Sequence, residues 1–155
     1  METAAELAAA AEREFQTAHV LLMAAAPADF RAADPASGKL RRSEGLDLSL
    51  EPTEDILASL ASSRREGQTI VGFAAEHGGD AVERARGKLE RKRLDAVVVN
   101  DISRGDIGFD VEANEVTIVT ASGDEPVPFG PKEDVARAIL DVVERLRIPT
   151  EAGAP

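Results

Sequence analysis

A strand, a helix and a second strand follow one another within residues 69–109, and no other stretch constrains the fold as strongly. An apolar run that ends at Glu76 is followed by a helical pattern, and a second apolar run leads into Asn100. This order is typical of a parallel βαβ unit. In open α/β sheets, ligands bind beside the carboxyl ends of the strands. We therefore expect residues 73–76 and 100–103 to face one common site.

The helix of this unit carries a concentration of positive charge. Six of the ten residues in the range 84–93 are basic, in a chain whose formal net charge is -11. Ala85 and Leu89 have the spacing of a face that packs on the sheet, which leaves Lys88 and Lys92 on another face. Two lysines four residues apart can bind one anion jointly. Spacing alone favours the simpler interpretation, a solvated face that also carries glutamates.

The composition excludes several classes of site and partner. A length of 155 residues is typical of one domain, and the absence of cysteine removes disulfides, thiolate metal sites and cysteine nucleophiles. A pI near 4.6 opposes nonspecific binding to DNA or anionic lipid. No apolar run approaches the ~20 residues of a membrane span, and the acidic N-terminus is unlike a signal peptide. We expect a cytoplasmic protein that binds neither nucleic acid nor membranes.

Hydrophobic periodicity predicts further elements on either side of the βαβ unit. The apolar run at residues 19–26 predicts a strand that is buried on both faces. Thr53 is the expected N-cap of the helix predicted at residues 54–63. The other predicted elements are helices at 3–15, 54–63 and 132–146, and an antiparallel hairpin of 115–120 with 127–129. We expect a domain over residues 1–150 and a disordered tail at 151–155.

Residues 31–44 are rich in Pro, Ser, Gly and charge, which is typical of a loop. Gly38 and Lys39 do not form a P-loop, because the other residues that this motif requires are absent. Residues 39–43 and 46–50 flank a Glu-Gly turn, and the second segment alternates apolar with polar residues, which predicts a hairpin. A projecting hairpin of this kind often mediates dimer contacts, so we expect a homodimer.

Asp29 follows directly after the predicted strand at residues 19–26, where the sheet edge should lie. A carboxylate in this position can ligate a metal ion or accept a hydrogen bond from a ribose hydroxyl. An aspartate just after a strand is more often part of an Asx turn or a helix cap. Both interpretations remain open from the residues themselves.

Six stretches of the chain, taken in order, form a specific pattern. They are Ala24-Ala25-Ala26-Pro27-Ala28-Asp29, Lys39-Leu40-Arg41-Arg42, Glu54-Asp55-Ile56-Leu57, Val71-Gly72-Phe73-Ala74-Ala75-Glu76, Ala85-Arg86-Gly87-Lys88 with Lys92 and Asp95, and Asn100-Asp101-Ile102-Ser103 before Gly108-Phe109. Together they resemble the phosphopantothenoylcysteine synthetase domain, the ligase half of the bacterial bifunctional coenzyme A biosynthesis flavoprotein. The resemblance covers nearly the whole chain.

The resemblance implies a fold and a reaction. The fold is α/β, a Rossmann-like three-layer sheet, mostly parallel, with a projecting β-hairpin. The reaction joins 4'-phosphopantothenate to cysteine: CTP and Mg²⁺ give an acyl cytidylate, which the cysteine amine then attacks. No FMN site is implied, since the flavin-dependent half has no counterpart in this chain.

The resemblance also implies site residues. Lys39 stands at the position of the family's catalytic lid lysine, which closes over the intermediate, and Asp29 lies near the ribose or the metal. Such lysines offset the charge that develops as pyrophosphate leaves. The residues implied for the CTP site are Met23, Ala24, Ala25, Asp29, Lys39, Glu54, Asp55, Ile56, Leu57, Phe73, Lys88 and Lys92. The resemblance thus favours an anion site on the basic helix over a solvated face.

The sequence departs from the family at its front. The family begins earlier, with a Gly-rich turn and an Asn-x-Ser-Ser-Gly segment that hold phosphate groups and phosphopantothenate, and neither motif occurs here. We therefore expect the chain alone to bind CTP without ligating at a useful rate. The alternative is a noncatalytic nucleotide-binding or dimerisation module derived from the enzyme. A generic Rossmann-like oxidoreductase is disfavoured, because no G-x-G-x-x-G follows any strand.

Overall fold

The computed structural model describes residues 3–39, 47–102 and 112–148. The predicted tail at 151–155, the Glu-Gly turn and Ser103 lie outside the described residues. The elements are α1 (Ala4–Phe15), β1 (Val20–Met23), β2 (Phe30–Ala32), β3 (Leu50–Pro52), α2 (Ile56–Ser63), β4 (Thr69–Glu76), α3 (Ala81–Lys92), β5 (Ala96–Asp101), β6 (Ala113–Thr120), β7 (Gly123–Pro131) and α4 (Lys132–Arg147). In the part of the chain that the structure describes, no helix is long and apolar enough to span a membrane.

Among the described residues, five strands form the main sheet, in the order β1-β4-β5-β6-β7. β4 pairs in parallel with β1 on one side and with β5 on the other, and Gly72 lies opposite both Met23 and Val97. β6 and β7 extend the sheet in antiparallel fashion beyond β5. This arrangement confirms the predicted Rossmann-like α/β fold, the βαβ unit and the antiparallel hairpin near the C-terminus.

The sheet is the middle of three layers. Helices α1, α2 and α3 bury one apolar cluster against one face, to which β4 contributes Ile70 and α3 contributes Ala85 and Leu89. Helix α4 buries a second cluster against the other face, to which β4 contributes Val71. Neighbouring residues of β4 therefore enter different clusters, as expected of a central strand whose side chains alternate between faces.

The predicted strand at residues 19–26 is shorter and less buried than expected. Only Val20–Met23 forms a strand, and Leu22 is 40% exposed. Within the described residues, β1 stands at the end of the strand order, so it has a neighbour on one side alone. The prediction of burial on both faces was wrong because an apolar run does not distinguish an edge strand from a central one.

The projecting antiparallel pair is present, but it uses other residues than predicted. β2 pairs with β3, with Phe30 opposite Pro52, so the paired strands are residues 30–32 and 50–52. The predicted strands at 39–43 and 46–50 were misplaced: among their described residues only Leu50 lies in a strand, and residues 40–46 lie outside the described part. The alternation that suggested a strand at 46–50 belongs to the approach to β3.

Helix α2 begins two residues later than predicted, because Asp55 rather than Thr53 is its N-cap. The Asp55 Oδ1 atom accepts a hydrogen bond from the backbone N–H of Ala58 at 3.1 Å. The hydroxyl of Thr53 instead donates to the carbonyl of Ala28 at 2.6 Å. Thr53 therefore ties the segment after β1 to the segment before α2, and both segments border the site described below.

Gln68 is a buried polar residue that joins three segments. Its side-chain amide donates to the carbonyls of Phe15 and Ala18 at 2.6 and 2.7 Å, and its Oε1 atom accepts from the backbone N–H of Arg65 at 2.7 Å. Gln68 is only 8% exposed, so water has little access to these groups. The end of α1 is thereby attached to the start of β4.

We expect Gln68→Ala to lower the free energy of unfolding by about 2 kcal/mol or more, because buried backbone groups lose their partners. Urea denaturation at neutral pH measures the change. Gln16→Ala is the matched control, since Gln16 is exposed at the end of α1, and it should change the stability by less than about 0.5 kcal/mol. Equal effects of the two substitutions would contradict this role of Gln68.

Candidate functional site

A cavity of about 790 Å³ lies at the carboxyl edge of the parallel strands. It is bordered by the segment that follows β1, by the ends of β4 and β5, by the start of α2 and by one face of α3. The structure brings together eleven of the twelve residues predicted for a CTP site. They are Met23, Ala24, Ala25, Asp29, Glu54, Asp55, Ile56, Leu57, Phe73, Lys88 and Lys92.

The apolar part of this cavity depends on close packing at Gly72. A Cβ atom at Gly72 would lie 3.0 Å from Leu94 Cδ1 and 3.2 Å from Leu57 Cδ1, closer than ordinary contacts allow. The missing side chain therefore lets Leu57 approach the sheet. Phe73, the next residue of β4, lines the cavity and is 37% exposed, so an aromatic face is accessible there.

The two lysines of α3 reach the cavity beside carboxylates from other elements. Lys88 Nζ lies 2.6 Å from Glu76 Oε1, at the end of β4. The second oxygen of Glu76 accepts from Arg84 Nε at 2.7 Å. Burial raises the pKa of Glu76, but the hydrogen bonds from Lys88 and Arg84 outweigh burial and hold the pKa below its ordinary value. Glu76 is therefore a carboxylate at neutral pH.

Lys92 is paired with the residue that caps α2. Its Nζ atom lies 2.9 Å from Asp55 Oδ2, so Asp55 both caps α2 and binds a lysine of α3. Burial raises the pKa of Asp55, while the hydrogen bonds from Lys92 and from the Ala58 N–H lower it by more. The ion pair fixes the start of α2 relative to α3 across the cavity.

Asp29 lies in the segment between β1 and β2, and its backbone carbonyl accepts a hydrogen bond from the Thr53 N–H at 2.9 Å. Asp29 is among the residues that line the cavity. Among the described residues, no group of three or more His, Asp or Glu side chains has the arrangement of a metal site. Mg²⁺ is commonly bound by one or two carboxylates together with the phosphates of a substrate. The single carboxylate of Asp29 fits that mode.

Lys39 is the one predicted site residue that does not line the cavity. It is exposed, at the end of a described segment. Its predicted neighbours in the lid, Leu40, Arg41 and Arg42, lie outside the described residues. The role of Lys39 stays a prediction.

The cavity also contains residues for which the sequence suggested no role, notably Asn114 and Lys132. Asn114 lies near the start of β6, and Lys132 is the first residue of α4. β6 runs antiparallel to β5, so the start of β6 reaches the edge where β5 ends. The sequence predicts the strand at 115–120 and its hairpin with 127–129, but not the antiparallel pairing with β5, and for that reason these residues were missed.

Comparison with known proteins gives a consistent assignment for most of the chain. A family model described as the DNA/pantothenate metabolism flavoprotein C-terminal domain matches residues 1–146. The coenzyme A biosynthesis bifunctional protein CoaBC of Mycobacterium bovis is 38% identical over 154 residues, covering 92% of this chain and 37% of that protein. A cysteine/cysteine sulfinic acid decarboxylase from an unknown prokaryotic organism is 36% identical over 142 residues, covering 90% of this chain and 39% of that protein.

A solved structure agrees with the sequence relatives. The crystal structure of the C-terminal domain of CoaBC superposes with a TM-score of 0.74 at 29% identity, covering 94% of this chain and 63% of that one. The chain spans less than two fifths of the length of either curated relative, at 37% and 39%. The family match over residues 1–146 includes the sheet edge at which the cavity lies.

We expect Glu76→Gln to lower the stability at neutral pH and to lose this effect in acid. The pKa of Glu76 is lowered in the folded state, so its ion pairs stabilise fully above the ordinary carboxyl pKa of about 4.3. This stabilisation is lost as the pH falls from that value through the lowered pKa. Urea denaturation between pH 7 and acid measures the difference between variant and wild type.

Glu90→Gln is the control for this comparison, because Glu90 lies on the same helix and is exposed. It should leave the stability nearly unchanged at both pH values. A difference between Glu76→Gln and wild type that is the same at neutral and acidic pH would show that the ion pairs of Glu76 do not stabilise the fold.

Proposed function

The chain belongs to the family of the DNA/pantothenate metabolism flavoprotein C-terminal domain, and from this premise we propose that it carries the CTP-binding part of a phosphopantothenate–cysteine ligase. The observation that carries the proposal is the cavity at the sheet edge, which gathers eleven residues that the sequence predicted for a nucleotide site. A cavity of about 790 Å³ falls within the range of small-molecule sites. The proposed place of the reaction is coenzyme A biosynthesis in the cytoplasm.

The apolar side of the cavity suits the cytosine ring and its ribose. Phe73 supplies an aromatic side chain, and Ile56 and Leu57 line the same cavity at the start of α2. Ala24 and Ala25 have small side chains, so a ligand can approach the backbone after β1. Polar groups near a largely apolar pocket set the orientation of a ligand, and Asp29 is the proposed partner of the ribose.

The basic side of the cavity suits the phosphates. Lys88 and Lys92 are the proposed phosphate ligands, and both contribute charge to a chain that is otherwise strongly acidic. Positive groups placed where negative charge develops stabilise the transition state of phosphoryl transfer. Mg²⁺, bound by Asp29 and the phosphates, would neutralise part of the triphosphate charge. The cation supplies Lewis-acid activation of the phosphate.

In the proposed reaction, the carboxylate of 4'-phosphopantothenate attacks the α-phosphorus of CTP and pyrophosphate leaves. The cysteine amine then attacks the carbonyl of the acyl cytidylate, so an amide bond forms and CMP leaves. Lys39 is the proposed lid residue that offsets the negative charge of the second step. The exposed position of Lys39 is compatible with a group that closes over a bound intermediate.

The proposed assembly is a homodimer in which the β2–β3 ribbon contributes to the contact. A two-stranded sheet is marginal in water unless it packs on another surface. Phe30 and Leu50 on the ribbon are 59% and 53% exposed, and Leu48 beside it is 60% exposed. A second copy of the chain would cover these side chains.

We expect CTP with Mg²⁺ to bind more tightly than ATP or GTP. We also expect Lys88→Gln and Lys92→Gln each to weaken CTP binding about tenfold or more, since a hydrogen bond to a charged group is lost. Isothermal titration calorimetry gives the Kd values. Arg137→Gln is the matched control, because Arg137 pairs with Asp134 on α4, away from the cavity. Equal affinity for the three nucleotides would argue against a cytidine site.

The product of nucleotide turnover tests the proposed chemistry. With 4'-phosphopantothenate and cysteine present, any CTP that is consumed should give CMP and pyrophosphate, because the carboxylate displaces pyrophosphate from the α-phosphorus and the cysteine amine then displaces CMP. Chromatography of the nucleotides separates CMP from CDP. Formation of CDP with orthophosphate would contradict an acyl cytidylate.

We expect the chain to form a dimer in solution. The double substitution Phe30→Ser and Leu50→Ser should shift it towards the monomer, since burial of large apolar side chains at the contact is lost. Light scattering at several concentrations measures the mass against the 16.4 kDa of one chain. Leu140→Ser is the control, because Leu140 is similarly exposed, at 52%, on α4. A wild-type chain that remains monomeric at high concentration would remove the proposal.

A further inference from the structure

The end of β4 holds a cluster of three charged residues in which two cations share one carboxylate. Glu76 accepts from Lys88 through Oε1 at 2.6 Å and from Arg84 through Oε2 at 2.7 Å. The side chain of Glu76 is only 14% exposed. Lys88 lines the cavity, whereas Glu76 and Arg84 do not. The cluster therefore joins a cavity residue to two residues behind it.

The charges of this cluster do not cancel. Arg84, Lys88 and Glu76 together carry one net positive charge, because each carboxylate oxygen is taken by a different cation. Lys92, the second cavity lysine on α3, has a one-to-one ion pair with Asp55. The two lysines four residues apart on α3 thus lie in different electrostatic surroundings.

This difference matters when an anion enters the cavity. A lysine held by a single carboxylate must leave that carboxylate unpaired if it moves to a phosphate, and an unpaired, largely buried carboxylate is costly. Glu76 keeps Arg84 as a partner when Lys88 moves. Arg84 is held in addition by the carbonyl of His77, to which its Nη2 atom donates at 2.8 Å. The flexible stem of lysine permits the exchange, while the planar guanidinium stays in place.

We propose that Arg84 is a positioning residue for anion binding, which holds Glu76 so that Lys88 can transfer its charge to a phosphate of the ligand. The inference rests on the proposed function, since it takes Lys88 as a phosphate ligand. It adds a residue outside the cavity to the site and assigns it a specific partner. Arg84 acts through Glu76 and touches no ligand itself.

The proposal is tested by a double-mutant cycle of Arg84→Gln and Glu76→Gln, with Kd measured by calorimetry for CTP with Mg²⁺ and for inorganic pyrophosphate with Mg²⁺. In the wild-type background, Arg84→Gln should raise the Kd of both ligands about tenfold. Glu76 then keeps Lys88 as its partner in the cluster, so the phosphate has to compete with this carboxylate for Lys88. In the Glu76→Gln background, the same substitution should change Kd less than about twofold, since no carboxylate remains to compete.

Two further variants separate this role from a general effect of charge or folding. Arg86→Gln removes the same charge from the same helix, but Arg86 pairs with Asp124 at 2.5 Å, away from the cavity, so its effect should stay within about twofold. Arg84→Lys keeps a cation beside Glu76 and should restore most of the affinity. Circular dichroism and urea denaturation confirm that each variant is folded. A residue that acts only on folding would not be rescued by Glu76→Gln.

The outcomes distinguish this inference from the proposed function. Tight CTP binding that Arg84→Gln leaves unchanged, or weakens equally in both backgrounds, overturns the inference and leaves the CTP site intact. If the substitutions change pyrophosphate binding as predicted, but CTP binds no more tightly than ATP or GTP, the inference is supported and the cytidine proposal is contradicted. If neither ligand binds the wild-type chain, both are wrong.

Discussion

The parallel pairing of β4 with β1 and β5 is the constraint on which the rest of the molecule depends. Both faces of β4 are covered, and Ile70 and Val71 are fully buried on opposite sides of the sheet. Because parallel strands end at the same edge, this pairing collects the carboxyl ends of β1, β4 and β5 in one place. The absence of a side chain at Gly72 completes the arrangement, since it lets α2 pack closely beside that edge.

Charge at this edge is organised by acids that come from outside the basic helix. Spacing suggested either a solvated face or an anion site on α3, and the structure shows why spacing could not separate them. Lys88 and Lys92 do line a cavity, while Arg86 of the same helix is paired with Asp124 of β7. The partners Glu76 and Asp55 lie on elements that only the folded chain brings to α3. Ion pairing therefore orders the lysines in a protein that is acidic as a whole.

The family relationship concerns the fold of the chain, whereas the cavity concerns the chemistry of one site. The family model covers residues 1–146, so it accounts for the sheet and all four helices up to the last turn of α4. The curated relatives are much longer than this chain, with 37% to 39% of their length matched. What the cavity adds is chemistry that suits the proposed nucleotide site: an aromatic residue, three lysines and the carboxylates of Asp29, Glu54 and Asp55 line one volume.

Sequence alone determined the βαβ unit, its hydrophobic faces and the residues at the strand ends, because alternation along a strand and the helical repeat are local properties. Tertiary structure decided what depends on distant partners. It made β1 an edge strand with Leu22 exposed, paired Phe30 with Pro52, and gave the cap of α2 to Asp55 rather than to its neighbour Thr53. It also brought Asn114 and Lys132 to the cavity through the antiparallel pairing of β6 with β5. Pairing partners and hydrogen-bond choices of this kind are set by packing between segments far apart in the chain, and no local pattern of residues contains them.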